Sequence, residues 1–243
     1  TNAAAGGDLA RAVHQLRRVS QVLDDRTDPR LACRIRERLA FYYFQLESVP
    51  EAADAARAAI DAMPAKPPSW ERARAMATYA FVLLAIDDEQ AREQAECARQ
   101  AARAADAPFV EADALVTLGQ VSERSGHTEE MLEQFAAAHK QARDAEVLGV
   151  ELRAAFQLAR VRLERGDLQE ASIIAHQGFS RAEKAGLARA PYGTDLQYLH
   201  YLAHYGDGDW DHAQALADGF SVRVATRSEA ELSAMALFIA VAR

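Results

Sequence analysis

Residues 107–148, APFVEADALVTLGQVSERSGHTEEMLEQFAAAHKQARDAEVL, contain two apolar-periodic runs separated by one short break. FVEADALVTLGQVSERSG and EEMLEQFAAAHKQARDAE each place apolar residues at three- and four-residue steps, the spacing of an amphipathic helix. Gly126 stands at the break, where a helix C-terminus calls for positive φ. Thr128 is the expected N-cap of the second helix, with Glu129 and Glu130 favouring the positive end of its dipole. The segment therefore predicts a helical hairpin.

The hairpin recurs. One small or slim residue opens each second helix: Ala10, Ala52, Ala91, Met131, Ala171 and Ala213, at intervals of 42, 39, 40, 40 and 42 residues. The turn before it reads ESVPEA at 47–52, IDDEQA at 86–91, GDLQEA at 166–171 and GDWDHA at 208–213. Four residues after the anchor stand Ala56, Ala95, Phe135, Ala175 and Ala217, and seven after it Ala59, Ala98, Ala138 and Gly178. These positions share a helix face, and small side chains there let helices approach closely. Thirteen residues before the anchor stand Leu39, Leu118 and Leu158, but Thr78 and His200 take that place elsewhere, which predicts a one-residue shift in those first helices. PAKPPSW (64–70) reads as a loop, because its prolines cannot propagate a helix. The expected organisation is one solenoid over 1–243: a partial repeat at 1–28, repeats at about 29–66, 67–106, 107–147, 148–188 and 189–222, and a partial repeat at 223–243. The fold class is all-α.

Half of the 243 residues are apolar and only 7% aromatic, with alanine, the best helix former, prominent. The net charge of −8 argues against a nucleic-acid grip, which needs clustered Lys and Arg. Lysine occurs only at Lys66, Lys140 and Lys184, against 25 arginines. Cys33 and Cys97 sit on separate repeats with no disulfide or metal spacing, as expected in a reducing cytoplasm. No membrane-spanning run or signal peptide is visible. Both ends read as cuts in a longer protein.

The Leu-[Ala/Gly], Gly-x-x-x-Glu-Ala and Phe/Ala…Ala spacing resembles the tetratricopeptide repeat over essentially the whole chain, with a period near 40 rather than 34 residues. Phrases such as GDLQEASIIAHQGFSRAEKAGLARAPYGTDLQYL are similar to the helical sensor region of large LuxR-family, MalT-like ATP-dependent transcription regulators. The resemblance implies a right-handed α-α superhelix of about five to six hairpins, whose first helices line a concave groove. It implies a non-catalytic module that binds a protein, peptide or small effector and works on a nucleotide-binding switch and a helix-turn-helix domain. Neither is in this chain: there is no G-x-x-x-x-G-K-[ST] loop and no recognition-helix module. The alternative is a free-standing adaptor for a peptide segment. Inward positions of the family fall on Arg34, Arg38 and Phe41, on Asp113, Gln120 and Arg124, on Arg153, Gln157 and Arg160, and on Tyr198. The arginines suit an acidic ligand, and changing Arg124 or Arg160 to Glu is expected to abolish peptide capture.

Other motifs weigh less. His200 and His204 stand one helical turn apart, with Asp207, Asp209, Asp211 and His212 following, but the repeat register accounts for GDWDHA without a metal. The expectation is a semi-buried His200, a solvated His204 and no metal or cofactor. As a calcium loop the segment fails, since His212 holds the sixth place, which needs Gly. Ser180 lacks a nucleophile's elbow, and Cys33 reads as inert packing despite Arg34 beside it.

Overall fold

The computed structural model describes residues 9–23 and 27–218, and among these the chain forms eleven helices and no strand. Leu9–Val22 is α1. Two hairpins follow, Pro29–Gln45 (α2) with Val49–Asp61 (α3), and Trp70–Ala85 (α4) with Ala91–Ala104 (α5). Pro108–Arg124 (α6), Thr128–Asp144 (α7), Leu148–Glu164 (α8) and Leu168–Lys184 (α9) come next, then Pro191–Gly206 (α10) and Trp210–Asp218 (α11). This is the expected all-α architecture of helical hairpins. Residues 223–243, the expected final partial repeat, lie outside the described residues.

From α6 to α9 each helix is 17 residues long. Three-residue links join them, so a helix begins every 20 residues. The middle link residue takes positive φ: Gly126 at 74°, Glu146 at 55° and Gly166 at 82°. The next N–H then reaches back five residues, His127 to Ser122 O at 2.9 Å, Val147 to Ala142 O at 3.0 Å and Asp167 to Arg162 O at 2.9 Å. This Schellman closure satisfies carbonyls the helix end would leave unpaired. Long helices of equal length, rather than long loops, set the period near 40. Thr128 is not the N-cap expected from its side chain: the Met131 N–H bonds to His127 O, so His127 caps and Thr128 is already helical.

The anchors Ala52, Ala91, Met131, Ala171 and Ala213 are buried, as are Ala56, Ala95, Phe135, Ala175 and Ala217. The first anchor is corrected. Ala10 is exposed, and α1 buries Ala12 and Val13, because its apolar stripe runs Leu9, Ala12, Val13, Leu16. Thr78 needs no shift: it is buried in the leucine position and donates from Oγ1 to Glu37 Oε1 at 3.0 Å. At His200 the neighbours Leu199 and Tyr201 take the buried places. The proline-rich stretch is a link up to Ser69, whose Oγ accepts the Arg72 N–H, and α4 begins at Trp70.

The helices gather into two compact units, divided between Met131 and Leu132. In the first, the first helices α2, α4 and α6 pack in succession, with α3 against α2 and α4, and α5 against α4 and α6. In the second, α8, α9 and α10 pack mutually and α11 closes on α10. Gly178 lets α9 approach α10, since a Cβ there would stand 2.8 Å from Leu196 Cδ1. No described helix is long and apolar enough to cross a membrane.

Candidate functional site

The expected groove residues fall in both units, and within each they sort by what already holds them. In the first unit, α1, α2 and α4 border a hollow of about 300 Å³, lined by the apolar Leu16, Leu31, Ile35 and Trp70, the cations Arg34, Arg38 and Arg74, and the buried carboxylates Glu37 and Glu71, the latter facing Arg30 at 3.9 Å. Its charges are arranged in two layers. The buried Glu37 accepts from Arg74 Nε at 3.3 Å and from Thr78. Burial opposes the charge on Arg74, but Glu37 and Asp113 outweigh it and hold the guanidinium above its ordinary value. This pair is internally neutralised. Arg34 lies over the Trp70 ring, Cζ 5.8 Å from its centroid. Arg38 lies over Phe41 and Tyr42 at 5.8 and 5.9 Å. Among the described residues, neither guanidinium has a carboxylate within 4.0 Å. Stacking of this kind contributes roughly 0.5–1 kcal/mol at exposed sites and fixes the plane while leaving the N–H fork available.

The remaining candidates of this unit have contacts within the chain. Asp113 and Gln120 are half-buried, Asp113 acting on Arg74. Arg124 is engaged by the Asp87 carboxylate and the Leu84 carbonyl. In the second unit Arg153 and Gln157 are buried, Arg160 bonds Glu164 at 2.7 Å and Gln157 at 3.1 and 3.3 Å, and Tyr198 packs against Tyr201, Ala213 and Ala217. Replacing Arg124 or Arg160 by Glu therefore perturbs structural contacts, and neither is a clean probe of ligand capture.

One feature is not legible in the sequence spacing considered above, and a second is legible only in part, through His200, His204 and His212. Glu71, Glu111 and Glu151 are buried, 40 residues apart, and each faces an arginine: Arg30 at 3.9 Å, Arg103 at 2.6 Å and Arg181 at 2.7 Å. The interval itself was the available signal. The second is a gathering of imidazoles in the second unit. His204 is not solvated: its side chain is 24% exposed and touches Ser172, His200 and Asp209. His176 joins from α9, its ring 5.0 Å from that of His200. Burial, then the neighbouring imidazoles, press the His200 pKa down to about 4. Cys33 is buried, its thiol directed at Glu71 O at 3.4 Å, and burial followed by Glu37 and Glu71 pushes its pKa up to about 12. Arg72 and Arg36 oppose this without prevailing, so the buried thiol is held protonated.

No protein-family model and no curated protein matches the sequence. Solved structures share the fold at low identity. A Rap protein complexed with competence and sporulation factor aligns with 99% of this chain and 72% of its own, with TM-score 0.69 and 15% identity. A Signal Transduction ATPase with Numerous Domains carrying a tetratricopeptide repeat sensor, from Pyrococcus horikoshii, aligns with 98% of this chain at TM-score 0.66 and 16% identity. Aspartyl phosphate phosphatase F from Bacillus subtilis aligns with 88% at TM-score 0.61 and 18% identity. The chain spans 36% of the ATPase and 55% of the phosphatase. The fold is thus that of tetratricopeptide-like helical repeat proteins.

Proposed function

We propose that this chain is a non-catalytic binding module whose hollow between α1, α2 and α4 takes a carboxylate-bearing peptide segment or small effector. The observation that carries this is the pair Arg34 and Arg38, laid on aromatic faces at the hollow without a carboxylate partner. Leu16, Leu31 and Trp70 supply apolar contact beside them. A ligand carboxylate would meet two charge-assisted donors whose geometry is already set. In its fuller form the module is the sensor segment of a LuxR-type regulator, where occupancy favours one state of a nucleotide-binding switch through differential affinity. The sensor of the archaeal ATPase supports that form. The adaptor reading is supported by the Rap protein, solved in complex with a factor. The gene sequence flanking residues 1 and 243 separates the two, since only the regulator carries ATPase and helix-turn-helix domains.

Selection of short random peptides on the chain is expected to enrich acidic sequences. Arg34→Glu with Arg38→Glu should weaken the selected peptides about tenfold or more, a loss of roughly 1.4 kcal/mol, with unchanged melting. Enrichment without acidic bias, or unchanged affinity in the double variant, overturns the reading.

A further inference from the structure

Four of the seven histidines in the chain converge on one corner of the second unit. His176 comes from α9, His200 and His204 from one face of α10, and His212 from the first turn of α11. Asp209, in the turn between α10 and α11, joins His204 and His212. Its Oδ2 lies 3.2 Å from His204 Nδ1 and 2.7 Å from His212 Nδ1, while Oδ1 accepts the His212 backbone N–H at 3.4 Å. The potential ligand atoms of His204, Asp209 and His212 all lie within 4.8 Å of one another.

We propose that His204, Asp209 and His212 bind a divalent first-row transition ion, Zn²⁺ or Ni²⁺ in class, that clips α11 to α10. The donor set is two imidazoles and one carboxylate, which suits these ions and not the all-oxygen preference of Ca²⁺ or Mg²⁺. Tetrahedral bonds of about 2.0–2.1 Å place neighbouring ligand atoms about 3.3 Å apart. The His204–Asp209 separation of 3.2 Å already fits. The His212–Asp209 pair must open by about half an ångström, and the His212 side chain, 72% exposed, is free to do so.

The surroundings supply what such a ligand needs behind it. With Nδ1 on the ion, His204 carries its proton on Nε2, which faces His200 Nε2 at 3.2 Å and Ser172 Oγ at 3.3 Å. Both can accept it, fixing the tautomer and the ring plane. Among the described residues no Lys or Arg lies within 4.0 Å of the Asp209 carboxylate, so no fixed cation competes for the site. The ion would join residues on both sides of the Gly206–Gly208 turn, holding the last described helix to the one before it.

The test is titration of chelator-treated, tag-free protein at pH 7.5 with Zn²⁺ alone and Ni²⁺ alone, by calorimetry and by thermal melting. One ion per chain with micromolar affinity and a raised melting midpoint are expected. His212→Ala and Asp209→Asn should weaken binding about tenfold or more, with His176→Ala near the parent value. His212 and Asp209 are accessible enough for these variants to fold, which circular dichroism checks. No saturable binding, or parent-like affinity in both variants, overturns the site.

Discussion

Single side chains here divide between those that hold the repeat together and those left for a ligand. Arg124 and Arg160 have the sequence appearance of groove ligands, and both already contact carboxylates, 37 residues and 4 residues away. Nothing in their local sequence distinguishes them from Arg34 and Arg38. The difference arises from which side chains the packing brings within reach, a tertiary property. Buried Glu151 is similarly disguised, reading as a helix-start acid while only 1% exposed against Arg181. Its neighbourhood yields a pH prediction. Burial, then Arg143 and Arg181, lower the His139 pKa from its ordinary 6.5, with Glu151 opposing. The unfolded chain then binds the proton more readily, so His139 contributes stability that is fully present above pH 6.5 and lost as pH falls below it. Denaturant titrations from pH 7.5 downward should show the parent losing stability faster than His139→Gln; parallel curves would remove the assignment.

At the scale of the helix, termination is what the sequence states most clearly. Gly126, Gly166, Gly186 and Gly208 all take positive φ, and the break at Gly126 was legible from that residue alone. The same conformation at Glu47, Asp87, Asp106 and Glu146 was not legible, because the turn is imposed by packing of the flanking helices and the residue tolerates it. Such a site costs a non-glycine residue roughly 1–2 kcal/mol, partly offset by the greater unfolded freedom of glycine. Glu146→Gly should therefore stabilise the chain by about 0.5–1 kcal/mol, and Gly166→Ala should destabilise it by about 1 kcal/mol. Urea midpoints check both, and equal signs for the two changes would contradict the turn account. The displaced first anchor has a related cause. Ala10 and Ala12 are both small, and only the stripe through Val13 and Leu16 decides which faces inward.

For the whole molecule, the all-helical repeat was readable because a close-packed seam demands a small residue once per hairpin, and that demand leaves a 40-residue trace. The imidazole corner left a partial one: His200, His204, Asp209 and His212 stand together in the sequence, and His176 does not. Its members stand at His176, His200, His204 and His212, on three helices, and only packing of α9, α10 and α11 assembles them. The arginine hollow is half legible: the repeat register points to Arg34 and Arg38, but nothing in the sequence marks Trp70 or the neutralising Glu37–Arg74 pair. The 20-residue helix-and-link metre from α6 to α9 has a consequence for how the chain tolerates length change. Asp106 and Glu146 hold the same positive-φ conformation forty residues apart, so excising residues 107–146 would splice one link onto its equivalent and preserve the order of first and second helices. A shorter excision of half a hairpin would invert the order of helices instead. The prediction is that the forty-residue deletion melts in one cooperative transition with helicity reduced in proportion, whereas removal of 107–126 gives a broad transition or insoluble protein. Inheritance by whole-unit duplication and loss is then open to this gene at little cost, because the ruler it is built on is a single helix with its turn.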